Sequence, residues 1–146
     1  MANVNFNYEE AIGGIRGEVA RMSELLDKEA GKALDEIGKV IESNVMMTAP
    51  VSDKKYYYSN GEKKKNVHIA DDVTRKVKRS KKSKMKYVTV SGGKKTWQKW
   101  HLANDGHVAK NGKFIPGNHF ADKAEIMSEG SIDRIVEKAM EGVVRN

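Results

Sequence analysis

The sequence predicts an α+β fold, in which a long N-terminal amphipathic helix and a C-terminal helix pack on a mainly antiparallel β-sheet containing a basic hairpin. Apolar residues recur at helical intervals before Pro50 and again after Pro116, and the segment between them alternates as strands do. With 146 residues, the chain is expected to form a single domain over residues 1–146.

The long helix is predicted over residues 23–48. Its apolar side chains recur every three or four residues, Ser23 is a suitable N-cap, and Pro50 ends the pattern. The stripe comprises Leu26, Ala30, Ala33, Leu34, Ile37, Val40, Ile41 and Val45. Residues 1–22 carry a weaker pattern that adjacent glycines loosen, and they are predicted to form a weak helix or arm.

The segment after Pro50 predicts a loop and then a hairpin. Residues 51–67 have no apolar period and contain the turn-forming pair Asn60-Gly61, which predicts a flexible loop. Residues 72–92 alternate on either side of a lysine-rich tip at residues 80–84, which predicts a basic β-hairpin.

The last third of the chain predicts turns followed by a helix. Residues 97–117 contain the turn signals Asp105-Gly106 and Asn111-Gly112, so turns and short strands are expected there. Residues 118–145 repeat apolar side chains at helical spacing and predict a C-terminal helical segment, with a break at Gly130.

Composition excludes several classes of protein. The absence of cysteine excludes disulfides, thiolate catalysis and cysteine-ligated zinc. No apolar run approaches the roughly 20 residues that cross a bilayer, and the start lacks the pattern of a signal peptide. A soluble protein of the cytoplasm without membrane contact is therefore expected. The net charge of +7 is concentrated in residues 51–100, where sixteen basic and four acidic side chains leave +12.

The basic hairpin is the first candidate site. Its side chains would form a positive ribbon that contacts DNA phosphates without reading sequence, or that contacts an acidic protein neighbour. The candidate interface or DNA-contacting residues are Arg75, Lys76, Lys78, Arg79, Lys81, Lys82, Lys84 and Lys86. A small basic DNA-binding module is accordingly one alternative function.

The histidines support a second alternative. His101, His107 and His119 lie near Asp105 and Asp122 in the sequence, as in a metal-dependent nuclease of the His-Asn-His type. The spacing fits that class poorly, and ordinary loop histidines explain it better. No catalytic residue, cofactor or metal is therefore expected, and the chain is predicted not to be an enzyme.

The order of short motifs along nearly the whole chain resembles a known family. Ala49-Pro50-Val51 stands where a long helix meets a polar loop, and Tyr87-Val88-Thr89-Val90 stands on the second strand of a basic hairpin. A turn at residues 101–106 and the segment from Pro116 to Ala124 then lead into a last helix. In this order the chain resembles the tail-completion type of phage neck protein, the gene-product-ten-like minor tail component of the head–tail junction of long-tailed phages.

The resemblance implies a virion structural protein that is assembled in the host cytoplasm. It would be a subunit of a homo-oligomeric ring of six or twelve copies, next to other head-completion and tail proteins and around the DNA channel. The loops at residues 51–67 and 79–84 and the turn at 104–119 would make most intersubunit contacts. The candidate intersubunit residues of that turn are Asp105, Gly106, His107, Pro116, His119 and Phe120.

Overall fold

The computed structural model describes residues 8–145, with side chains from residue 13 onward. The elements follow one another as α1 (Tyr8–Thr48), β1 (Tyr56–Ser59), β2 (Glu62–Lys65), β3 (Val73–Arg79), β4 (Lys86–Gly92), α2 (Trp97–Asp105), β5 (Gly106–Val108), β6 (Phe114–Pro116) and α3 (Phe120–Arg145). The strands pair as three separate antiparallel hairpins, β1–β2, β3–β4 and β5–β6. The predicted α+β class is confirmed, although the expected sheet consists of three hairpins.

Helix α1 begins far before the predicted start at Ser23. It is continuous over 41 residues, so Ser23 is an interior residue and not an N-cap. An ion pair of 2.7 Å between Arg21 and Glu18 lies in the part of the helix that precedes the predicted start. Exposed glycines weaken a helix by about 1 kcal/mol each without having to end it. Residues 1–7 of the predicted arm lie outside the described residues.

The predicted flexible loop at residues 51–67 contains the β1–β2 hairpin, and the prediction was wrong over this part. Asn60 and Gly61 have φ angles of 52° and 78°, which is the left-handed geometry of a two-residue hairpin turn. The Lys63 ammonium lies 4.2 Å from the centre of the Tyr56 ring. This cation–π contact stabilises a hairpin that has little apolar surface to bury.

The core lies where α1, α2 and α3 meet the beginning of β3. Phe120 is fully buried and makes an edge-to-face contact with Trp100, with ring centroids 5.2 Å apart. The buried core cluster comprises Val45, Ala49, Ile69, Phe120 and Ala124. The C-terminal end of α1 therefore packs against the beginning of α3.

Helix α3 runs without interruption through Gly130, so the predicted break there was wrong. Packing against α1 holds it: Asn44 Nδ2 donates to Ser128 Oγ at 2.8 Å, and Ser128 Oγ donates to the Ala124 carbonyl at 2.6 Å. Tertiary contacts thus outweigh the low helix propensity of one glycine. Within residues 8–145, no helix has the length and apolar character needed to cross a membrane.

Candidate interaction surfaces

The two faces of the β3–β4 hairpin hold their cations differently. Side chains alternate along a strand, so Arg75 and Arg79 lie on one face and Lys76 and Lys78 on the other. The first face packs on α1 and the second faces outward. The predicted ribbon is therefore two surfaces with different roles.

Arg75 belongs to the inner face and is held by α1. Its Nη1 donates to Glu42 Oε2 at 2.7 Å, and its Nε lies 3.4 Å from Asp35 Oδ1. Only about a quarter of the Arg75 side chain is exposed. The guanidinium is therefore bound within the chain, where it fixes the hairpin to the helix.

Asp27 of α1 receives the other two inner cations. Arg79 Nη2 donates to both carboxylate oxygens, at 2.8 and 2.9 Å, and Lys86 Nζ lies 3.0 Å from Oδ2. The hydrogen bonds from Lys86 and Arg79 hold the pKa of the Asp27 carboxyl below its ordinary value of 3.8. Asp27 thus anchors the end of the hairpin nearest its tip.

Replacing Asp27 should therefore weaken the hairpin in a pH-dependent way. Because its pKa is lowered in the folded chain, the carboxylate stabilises the fold fully above about pH 4, near the unfolded value. This stabilisation is lost as the pH falls through the lowered pKa. Asp27→Asn should lower the melting temperature at pH 7, and the difference from the wild type should vanish in strong acid. Thermal melts between pH 7 and pH 2.5 measure this.

The matched control is Asp53→Asn, because Asp53 is exposed and forms no ion pair with another residue of the described region. Its melting temperature should follow the wild type at every pH. A loss in Asp27→Asn that persists unchanged in strong acid would show that shape, and not charge, is what the aspartate supplies.

The outer face is basic and rich in hydroxyl groups. Lys76 and Lys78 are exposed, and among the described side chains neither has an ion-pair partner. They border a shallow concavity of about 630 Å³, whose other lining residues are Thr74, Thr89, Ser91, Gly92, Gly93, Lys94 and Trp97. The Trp97 side chain is 57% exposed. Ammonium groups, hydroxyl groups and one aromatic ring are the groups that contact phosphates and bases.

The lysines at the tip of the hairpin also have no ion-pair partner among the described residues. Lys81, Lys82 and Lys84 are exposed, and no carboxylate of residues 13–145 pairs with them. Met85 beside them is 69% exposed. The backbone N–H of Ser80 donates to the Met85 carbonyl at 2.8 Å, which closes the tip. The result is a preformed loop with three cations and one exposed thioether.

The turn at residues 104–119 includes both surface and core. Asp105, Pro116 and His119 are exposed, whereas Gly106 and His107 are half-buried. Gly106 pairs with Pro116 across β5–β6. Phe120, predicted as an intersubunit contact, is fully buried in the core, and that assignment was wrong. Its side chain is enclosed because α3 begins directly under α2.

Asn104 organises the exposed part of this turn, a role that sequence reasoning missed. Its Nδ2 donates to Asp105 Oδ1 at 2.8 Å and to Asp122 Oδ2 at 3.2 Å, and its Oδ1 accepts from the Ala121 N–H. His119 Nδ1 lies 3.2 Å from Asp122 Oδ2. The pair Asn104-Asp105 at the end of a short helix was the sequence signal that could have indicated this role.

These contacts bring together three of the residues considered for a metal. One ligand atom each of Asp105, His119 and Asp122 lies within 4.8 Å of the others, and all three side chains are exposed. His101 and His107 are not part of the group. The hydrogen bonds of Asn104 and the His119–Asp122 contact account for the arrangement without a cation.

Two further surfaces are apolar or acidic, and apart from Leu26 their residues were not singled out from the sequence. On α1, the exposed Ile15, Val19, Met22 and Leu26 recur at helical spacing. On α3, exposed carboxylates recur every fourth residue, at Glu125, Glu129, Asp133, Glu137 and Glu141. Both signals are regular spacings that a helical projection of the sequence would have found.

Exposed apolar and charged surfaces of this extent are typical of proteins that function by assembly with others. The family model described as "Bacteriophage HK97-gp10, putative tail-component" matches residues 15–106, well over half of the chain. The chain therefore belongs to this family: it is a structural tail component of a bacteriophage and, as such, part of the virion. Among curated proteins and among solved structures, none matches at a significant level. Family membership indicates a structural role.

Proposed function

We propose that the chain is a subunit of a homo-oligomeric ring at the head–tail junction, where it completes the tail or joins it to the head. Its neighbours would be further copies of itself and the adjoining head-completion and tail proteins. The observation that carries this proposal is the uncovered apolar surface of α1.

The N-terminal arm of α1, residues 13–24, is exposed at every position. Its stripe of Ile15, Val19 and Met22 continues through Leu26 into an apolar groove of about 430 Å³ between α1 and α3. These four side chains are 46–63% exposed. Covering them would contribute about 1 kcal/mol each, since roughly half of each is already covered. A subunit that buries this surface on assembly explains why it is apolar.

Native mass spectrometry over a concentration series tests the proposal. A single closed species, of six or twelve copies, is the expected result. Val19→Lys should shift the distribution towards monomer, because it places a charge in the middle of the stripe. The matched control is Ala20→Lys, which adds the same charge next to it on an exposed position away from the stripe. A wild-type chain that stays monomeric at every concentration would contradict self-assembly of the ring.

The outer face of the β3–β4 hairpin favours DNA contact as a second function, either in the channel of such a ring or as a separate binding module. Lys76 and Lys78 have no partner among the described carboxylates and lie beside the exposed Trp97. Lys76→Glu with Lys78→Glu should weaken duplex binding and lower its salt slope by about one for each lysine.

Fluorescence anisotropy of labelled duplex at several salt concentrations measures this. The control is Lys110→Glu, on the exposed turn between β5 and β6. An equal loss in the control would show that only net charge matters. Salt-independent binding, or none, would remove DNA from the list of partners.

A further inference from the structure

Helix α3 presents an uncovered face along its last three turns. Val136, Met140 and Val144 are 42%, 64% and 84% exposed. With their neighbours they form a shallow apolar groove of about 510 Å³, which is also lined by Asp133, Glu137, Glu141 and Arg145. An apolar strip with acidic side chains along its edge is therefore open to solvent.

The carboxylates of this strip have no cationic partner in the described part of the chain. Asp133, Glu137 and Glu141 are each exposed, and none forms an ion pair with a residue between 13 and 145. Like charges four residues apart on a helix repel each other. A cationic partner outside this chain would relieve that repulsion, and the apolar strip would be covered at the same time.

The tip of the β3–β4 hairpin has the complementary chemistry. Lys81, Lys82 and Lys84 supply three unpaired ammonium groups, and the exposed Met85 supplies a flexible apolar side chain. The tip is held in place because Arg79 Nη1 donates to the Lys84 carbonyl at 2.7 Å. Lysine stems are themselves apolar and cover apolar surface while their heads reach an acidic edge.

We propose that the hairpin tip of one copy docks on the acidic, apolar face of α3 of the next copy. The two surfaces lie on different elements of the same chain, so a contact that the same two copies do not reciprocate is head-to-tail, and head-to-tail contacts close into rings when the rotation permits. The inference rests on the proposed ring and names the contact that builds it. DNA phosphates would match the three lysines, but DNA offers no apolar groove for Met85 and no cation for the carboxylates of α3.

Charge reversal tests the contact. The tip variant carries Lys81→Glu, Lys82→Glu and Lys84→Glu, and the α3 variant carries Asp133→Lys, Glu137→Lys and Glu141→Lys. Each alone places like charges across the interface and should raise the concentration needed for oligomer formation at least about tenfold. An equimolar mixture should restore the oligomer, because the reversed tip of one variant meets the reversed α3 of the other.

Control variants reverse two charges each, away from the proposed contact. Lys28→Glu with Lys123→Glu changes exposed lysines outside the hairpin, and Glu125→Lys with Glu129→Lys changes α3 outside the groove. Both should assemble as the wild type does. Circular dichroism and thermal melts show that each variant is folded before native mass spectrometry. Because the mixture combines the two triple variants, no single chain has to carry all six substitutions.

Two results would overturn the docking. If the wild type forms its oligomer and both triple variants form it equally well, the ring is built through another surface and the proposed function stands. If each triple variant is defective and the mixture does not recover, the two surfaces do not meet each other. A wild type that never assembles rejects the ring itself, together with this contact.

Discussion

Replacing Phe120 with alanine should lower the free energy of unfolding by about 3–5 kcal/mol. The side chain is fully buried and stands edge-to-face on Trp100, with ring centroids 5.2 Å apart. Removing it opens a cavity at the point where α1, α2 and α3 meet. Chemical denaturation followed by circular dichroism measures the change. For a domain stable by 5–15 kcal/mol, the loss would be a large part of the total.

Phe114→Ala is the matched control, because Phe114 lies on β6 and its side chain is 59% exposed. It should cost about 1 kcal/mol or less. Similar losses in the two variants would mean that Phe120 is not in the core, and would return it to the candidate intersubunit turn.

Gly117→Ala is the second change with a large expected effect. A Cβ on residue 117 would overlap the Asn104 carbonyl and come within 2.6 Å of the Gly106 nitrogen. Both neighbours are backbone, and the adjacent Asn118 N–H donates to the Ala103 carbonyl at 2.9 Å, so the segment has no room to retreat. The expected cost is about 3 kcal/mol, at the upper end of the range for overpacking.

Gly130→Ala makes the same chemical change in open space. Apart from its chain neighbours and the adjacent backbone of α3, no atom lies within 4 Å of a Cβ at residue 130, in the interior of the helix. It should stabilise the chain by about 0.5–1 kcal/mol, because alanine loses less conformational entropy in a helix than glycine. Denaturation curves of the two variants should therefore move in opposite directions, and a destabilised Gly130→Ala would contradict the uninterrupted helix.

Sequence patterns between neighbouring residues predicted the main helix and the main hairpin. The apolar repeat from Leu26 to Val45 indicated most of α1, and the alternation at residues 72–92 indicated the β3–β4 hairpin. The same patterns misplaced boundaries. Ser23 was a good N-cap in isolation, but helix continued on both sides of it. Asn60-Gly61 was used as a loop signal when it marked a tight hairpin turn.

In the candidate site, sequence patterns did not predict which side chains contact each other. The sequence indicated a run of cations, yet it could not show that Arg75, Arg79 and Lys86 pair with acids of α1 located 33 to 59 residues away. Alternation along a strand separates the two faces, but only packing decides which face meets the helix. The same limit explains the wrong assignment of Phe120 to the intersubunit turn. Phe120 is next to surface residues in the sequence, and only the fold shows that Trp100 of α2 covers it.

The sequence by itself determined the α+β class, the charge concentrated in residues 51–100, and the resemblance that the family match over residues 15–106 confirmed. These depend on spacing and order along the chain, which need no knowledge of distant contacts. The tertiary structure alone decided which cations are neutralised, which apolar side chains stay uncovered, and that Asp105, His119 and Asp122 meet. Those properties depend on which residues far apart in sequence become neighbours, and long-range packing is what selects them.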